Sequence, residues 1–158
     1  MTVVVPPLLV LGWGNLSRGD DALGPMCVAA LQEALPAHLQ DRVEFLDDYQ
    51  LQVEFALDLV DRARILFIDA SLLCAAPFEV REARPRRDSS ISSHALSPEA
   101  LLQVFVELQG HLPPPATVLG IRGEAFALGE PMSAAAHANL AAALAWALDW
   151  IRQESSCV

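Results

Sequence analysis

The 158-residue sequence contains no lysine, so all ten of its basic residues are arginine. Without lysine, the chain forms no lysine Schiff base and does not supply the lysine of a Walker phosphate loop. Positive charge is scarce overall, because twenty Asp and Glu residues give a formal net charge of -10. Nucleic acids and anionic lipid surfaces attract clustered positive charge, so we expect neither as a partner.

Cysteine is also rare, with three in the chain and no two of them at a CxxC spacing. This pattern argues against a disulfide framework and against a structural zinc site. The N-terminal stretch lacks the basic region and the cleavage site of a signal peptide, and its apolar run is too short to cross a bilayer. We therefore expect a cytoplasmic protein with no membrane partner.

Apolar runs alternate with stretches of helical period, which is typical of a sheet covered by helices. The pattern predicts strands over 8–12, 43–47, 64–69, 78–83 and 117–121, the fourth of them at an edge. It predicts helices over about 20–35, 51–60, 98–108 and 133–152. No linker divides the series. We therefore predict one α/β domain over residues 1–158, a three-layer, doubly wound, mostly parallel five-stranded sheet with helices on both faces.

In such a sheet, functional groups gather in the crevice outside the carboxyl ends of the parallel strands. Carboxylates dominate the predicted strand ends, at Asp20, Asp21, Asp47, Asp48 and Asp69. The loop 12–24 contains four glycines, but it matches neither the dinucleotide-binding pattern nor the Walker pattern. Its acidic residues would also repel a phosphate. The sequence thus favours a site that presents carboxylates to a cation or a proton.

Three side chains are the strongest candidates for that site. Of the adjacent Asp20 and Asp21, one can cap the following helix, which leaves the other for a ligand. Asp69 directly ends a buried apolar strand, where a carboxylate is costly to desolvate unless it is paired or coordinated. His94 lies in a polar loop that can reach the same crevice. If Asp21, Asp69 and His94 converge, they form a set of two oxygen ligands and one nitrogen that suits Ni, Zn, Mn or Fe.

Other interpretations of the same residues stay open. Ser71 follows Asp69 but lacks the G-x-S-x-G elbow of a serine nucleophile. Cys74 and His94 could act as a nucleophile and its base. The acids could instead only cap helices, with His94 facing solvent. Trp13, beside the glycines, either fills the core or contacts a partner.

A set of motifs resembles the hydrogenase maturation endopeptidases. They are, in chain order, Gly12-x-Gly14-Asn15, Asp20-Asp21-x-x-Gly24, Ile68-Asp69-Ala70 and Ser93-His94. The stretch GWGNLSRGDDALGP is most similar to the branch that serves soluble, NAD-reducing [NiFe] hydrogenases. The resemblance implies an endopeptidase that removes the C-terminal extension of the hydrogenase large-subunit precursor once nickel has been inserted.

The resemblance also implies roles for individual residues. The acidic residue, the aspartate and the histidine that surround the metal in the family fall on Asp21, Asp69 and His94. The nickel is then carried by the precursor and bound only transiently, and no organic cofactor is implied. Many relatives carry Asp-Gly-Gly-Thr after the second strand, whereas this chain has Asp47-Asp48-Tyr49-Gln50. Only Asp47 carries over, as a candidate catalytic residue for proton transfer.

Two rival functions use the same three residues. One is an ordinary metal-dependent hydrolase with its own zinc ion. The other is a non-catalytic module that binds nickel or the large subunit, as a chaperone does.

Overall fold

The computed structural model describes residues 4–87 and 96–158. Within these ranges the elements are β1 (Leu8–Trp13), α1 (Leu23–Ala34), β2 (Val43–Asp48), β3 (Arg64–Ser71), β4 (Phe78–Ala83), α2 (Pro98–Gln109), β5 (Ala116–Arg122) and α3 (Ala134–Cys157). Short 3-10 segments occur at Gly19–Ala22, Ala37–Leu39 and Val53–Leu57. No helix in the described parts of the chain has the length and hydropathy needed to cross a membrane.

The five strands form one sheet in the order β2-β1-β3-β5-β4. β1 pairs in parallel with β2 and β3, β3 pairs in parallel with β5, and β4 lies antiparallel at the edge. The predicted fold class is therefore confirmed. After β1 the chain adds β2 on one side and β3 on the other, so the strand order reverses between β1 and β3. Ligand sites of doubly wound sheets lie at the carboxyl ends of the strands around such a point.

Helices cover both faces of the sheet because side chains along each strand alternate between them. Leu8 and Val10 of β1 pack with α1 and α3, whereas Leu9 and Leu11 pack with α2 on the opposite face. Trp13 is only 8% exposed and packs edge-on against Phe67, with ring centroids 6.0 Å apart. Of the two interpretations of Trp13, the structure supports the core residue.

One predicted helix is wrong. The segment 51–60 contains only the short 3-10 helix Val53–Leu57. Two of its apolar residues, Val53 and Leu57, are 52% and 65% exposed, so the segment does not form the continuous buried face expected of a packed helix. Asp61, with a φ of 64°, then adopts the left-handed region, which prevents a helix from continuing toward β3.

Candidate active site at the ends of β1 and β3

Asp21 lies in the 3-10 turn that connects β1 to α1. Its Oδ2 accepts a hydrogen bond from the backbone N–H of Asn15, at 2.8 Å. Gly14 allows this turn to fold back on the end of β1, because a Cβ at this position would lie 1.8 Å from the carbonyl oxygen of Asp21. The first motif thus holds the Asp21 carboxylate beside the end of its strand.

Gly24, in the first turn of α1, fixes the helix against the sheet. A Cβ at Gly24 would lie 2.3 Å from the carbonyl oxygen of Trp13 and 2.8 Å from that of Ile68. The start of α1 therefore lies directly against the ends of both β1 and β3. Only Ala22 separates Asp21 from this helix. The contact therefore also places Asp21 at the point between β1 and β3 where the strand order reverses.

We expect Gly24→Ala to lower the free energy of unfolding by about 2 kcal/mol, because neither strand backbone can move away from the added methyl group. The matched control is Gly120→Ala, whose Cβ would meet its nearest atoms at 3.4 Å. Urea denaturation of both variants checks this, and equal stabilities would contradict the close packing described here.

Asp69 lies on β3, next to that same point, and is half-buried. Its Oδ1 accepts a hydrogen bond from the backbone N–H of Ala70, at 2.8 Å. Burial raises the pKa of Asp69 to about 7; the Ala70 hydrogen bond opposes this rise and the negative charge of Asp21 adds to it. The turn that carries Asp21 contacts β3, and a cation held between the two carboxylates would offset the repulsion of their charges.

The third predicted ligand, His94, lies within residues 88–95, outside the described residues. Within 4–87 and 96–158, no group of three or more His, Cys, Asp and Glu side chains is arranged to hold a metal ion. The turn that carries Asp21 contacts β3, the strand that carries Asp69, and a complete three-ligand site at this position needs a further donor. The convergence of His94 with the two acids stays a prediction.

Asp47 lies at the end of β2, paired in register with Gly12 of β1. Its side chain is exposed and lines a cleft between the ends of β1 and β2. This β1–β2 cleft has a volume of about 330 Å³ and is lined by Gly14, Asn15, Leu16, Pro25, Asp47, Asp48 and Tyr49. Asp47 is thus one strand further along the crevice than Asp21 and Asp69, on the other side of β1.

Asp20 has a role that the sequence does not reveal. The expectation that Asp20 or Asp21 caps the following helix is wrong, since neither side chain makes a capping hydrogen bond. Asp20 is fully buried, and its carboxylate accepts four hydrogen bonds from the segment that follows β5. The donors are the backbone N–H groups of Glu124, Ala125 and Ser133 and the hydroxyl of Ser133. The Asp20 side chain thus fastens the β1–α1 loop to the β5–α3 loop.

Burial alone would raise the pKa of Asp20, but the four hydrogen bonds outweigh it and lower the pKa below its ordinary value. Asp20 is therefore ionised at neutral pH. The two adjacent acids therefore have different roles. Asp20 binds the β5–α3 loop, and Asp21 lies at the crevice. A sequence signal for the role of Asp20 is Gly19, because a Cβ at this position would lie 2.3 Å from the carbonyl oxygen of Ala125 in the β5–α3 loop.

Cys74 is buried, and its Sγ lies 3.6 Å from the carbonyl oxygen of Gly120. Its own carbonyl accepts a hydrogen bond from Arg122, at 2.7 Å. These contacts hold the β3–β4 loop against the end of β5. They favour a structural role for Cys74 over the alternative in which its thiol is a nucleophile, because a nucleophile must be accessible to the substrate.

No family model matches the chain, and no curated protein matches it either. Solved structures do. The [NiFe] hydrogenase maturation protease HycI from Thermococcus kodakarensis KOD1 matches with a TM-score of 0.71, 19% identity and 92% of each chain covered. The hydrogenase maturating endopeptidase HybD from E. coli matches with a TM-score of 0.71 and 24% identity, over 93% of each chain. An endopeptidase from Escherichia coli solved in solution has the same TM-score and coverage at 25% identity. The structural neighbours of this chain are therefore hydrogenase maturation proteases, and it has their fold.

Proposed function

We propose that this chain is an endopeptidase that removes the C-terminal extension of a [NiFe]-hydrogenase large-subunit precursor after nickel insertion. The observation that carries the proposal is the position of two carboxylates, Asp21 and Asp69, at the carboxyl ends of β1 and β3, where the strand order reverses. Proteins with this fold include endopeptidases that mature hydrogenases. The paired acids are the candidate site for such an activity in this chain.

Nickel enters the proposal as part of the substrate. Asp21, Asp69 and His94 would bind the nickel of the immature large subunit, because two carboxylates and an imidazole form an open set of ligands. The repulsion between the two acids favours this encounter, since a cation relieves it. Nickel-free precursor lacks the cation and would bind poorly. Recognition of the metal thereby restricts cleavage to precursor that is ready for it.

Hydrolysis also needs a group that moves protons. A water molecule loses a proton as it attacks the scissile carbonyl carbon, and the leaving amine gains one as the C–N bond breaks. With Asp21 and Asp69 bound to nickel, Asp47 and Asp48 at the end of β2 are the next acids along the crevice. Asp48 already accepts a hydrogen bond from the Tyr49 N–H, whereas the Asp47 side chain is exposed. We propose that Asp47 accepts the proton of the water and returns it to the amine.

We expect Asp47→Asn to lower kcat by about 10²-fold, the usual contribution of a positioned acid or base. Its preference for nickel-loaded over nickel-free precursor should stay unchanged, because Asp47 is not a nickel ligand in this scheme. Steady-state cleavage rates measure the first effect and binding assays measure the second. Asp41→Asn, which removes an exposed acid before β2, is the control. A wild-type kcat for Asp47→Asn would remove Asp47 from the mechanism.

The activity itself is tested by incubating the purified chain with nickel-loaded precursor and weighing the products. A precursor shortened at its C terminus supports the proposal. A stable complex with no shortened product would instead indicate the binding module. Cleavage by a chain that is purified with one equivalent of zinc would indicate the metal-dependent hydrolase.

The finer assignment concerns the substrate. The similarity of GWGNLSRGDDALGP to one branch of the family supports the precursor of a soluble, NAD-reducing hydrogenase, processed in the cytoplasm. Parallel assays with that precursor and with the precursor of a membrane-bound hydrogenase test the assignment. Faster cleavage of the membrane-bound enzyme's precursor would overturn it.

A further inference from the structure

We propose that the β1–β2 cleft binds a basic side chain of the precursor, a few residues from the bond that is cleaved. This inference rests on the proposed function, and it adds the chemistry that the substrate must offer beside its nickel. The cleft opens at the same edge of the sheet as Asp21 and Asp69, and it is large enough, at about 330 Å³, for one long side chain.

The walls of the cleft are apolar and open to solvent. Leu16 is 66% exposed and Tyr49 is 62% exposed, and both line the cleft together with Pro25. Large apolar side chains gain free energy when they are covered. The aliphatic stem of an arginine or a lysine would cover them while its charged end stays polar. The Tyr49 ring would add a favourable contact with the cation.

The charge of the cleft selects a cation. Asp47 and Asp48 both line it, and among the residues that the structure describes no arginine or histidine does. One Asp48 oxygen accepts a hydrogen bond from the N–H of Tyr49, at 2.7 Å. In the described part of the chain, neither Asp47 nor Asp48 forms an ion pair. A basic side chain would complement both the shape and the charge of the cleft, whereas an acidic one would be repelled.

The position of the cleft relates this side chain to the scissile bond. Neighbouring strands lie about 4.8 Å apart, so the end of β2 is roughly 10 Å from the end of β3. An extended peptide advances about 3.4 Å per residue. If a basic residue of the precursor occupies the cleft, the precursor backbone two or three residues further along would therefore lie over Asp21 and Asp69. Asn15 links the two places, because it lines the cleft and its N–H binds the Asp21 carboxylate.

The test compares cleavage of nickel-loaded precursor by wild type, Asp48→Asn and Tyr49→Ala, with Asp41→Asn as a control of equal charge outside the cleft. We expect KM to rise about fivefold for each cleft variant, the effect of one partly exposed contact, and kcat to change by less than about twofold. The KM of wild type should also depend on salt more strongly than that of Asp48→Asn.

The partner side chain is identified from the precursor. Each Arg and Lys near the cleaved bond is replaced by Met, one at a time, and each altered precursor is assayed with wild type and Asp48→Asn. One replacement should raise the wild-type KM about fivefold and leave the KM of Asp48→Asn unchanged, since the contact is already lost.

Three results would overturn the inference. If wild type cleaves the precursor and the KM of Asp48→Asn equals that of wild type, this inference is overturned and the proposed function is not. A raised KM for Tyr49→Ala but not for Asp48→Asn assigns the cleft to an apolar side chain. Absence of both binding and cleavage by wild type overturns the proposed function and this inference with it.

Discussion

Replacing Asp69 by Asn should lower the rate of precursor processing by about 10²-fold, because it removes one of the charged ligands proposed for the nickel of the precursor. Asn keeps the shape of the side chain and can still accept the hydrogen bond that Ala70 donates to Asp69. It carries no charge to attract nickel. We therefore expect the loss to come from the site and not from unfolding. Processing rates and urea denaturation of the same preparation separate the two causes.

The same variant should be more stable than wild type at alkaline pH. The pKa of Asp69 is raised from 3.8 to about 7, so the folded protein holds a proton that the unfolded chain releases. Stability contributed by the protonated carboxyl is complete below about pH 4 and is lost as the pH rises to about 7. Asn cannot ionise, so Asp69→Asn should lack this loss and exceed wild type by about 1–2 kcal/mol at about pH 8.

Asp149→Asn on α3 is the matched control, because Asp149 is exposed and its ion-pair partner among the described residues is Arg152. It should process precursor at the wild-type rate and keep the wild-type dependence of stability on pH. An active Asp69→Asn variant would show that the β3 carboxylate takes no part in cleavage.

Asp20→Ala should have the largest effect on stability, lowering the free energy of unfolding by about 3 kcal/mol or more. Three backbone N–H groups and the Ser133 hydroxyl lose their acceptor in this variant. Asp20 is fully buried, so water does not replace the lost hydrogen bonds without opening the structure. Urea denaturation, with the slope compared to wild type, measures the loss.

Ser133→Ala is the comparison for Asp20→Ala. It removes one hydrogen bond to Asp20 and the N-cap of α3, where the Ser133 hydroxyl accepts from Ala136 N–H, so we expect a loss of about 1–2 kcal/mol. Because the pKa of Asp20 is lowered in the folded state, the contribution of its charge is complete above about pH 4. It is lost as the pH falls further, and Asp20→Ala should not show this acid-dependent part. Equal losses in the two variants would contradict the role given to Asp20.

The fold could be predicted because its signals are local. β1 and β3 are apolar on both faces, as strands buried between two layers of helices must be. The charged β4 was expected at an edge, and it is the antiparallel edge strand. The helix predicted over 51–60 is wrong because the apolar residues of this segment are buried against the sheet without forming an α-helix.

The site could be predicted only in part, because it depends on loops that meet across the chain. Asp69 is predicted from its position at the end of an apolar strand and Asp21 from its motif, and the fold places both at the carboxyl ends of the strands. The division between Asp20 and Asp21 could not be found, since the partners of Asp20 lie more than a hundred residues away in sequence. The β1–β2 cleft depends on the register between Gly12 and Asp47, which no local pattern encodes.

The central claim is that Asp21, Asp69 and His94 meet around a nickel ion that the precursor brings. Binding of nickel-loaded and nickel-free precursor to wild type and to Asp21→Ala, Asp69→Ala and His94→Ala tests it most directly. Wild type should bind the nickel-loaded form at least about tenfold more tightly, a difference of about 1.4 kcal/mol, and each variant should bind both forms equally. Variants that keep the wild-type preference for the nickel-loaded form would contradict the claim.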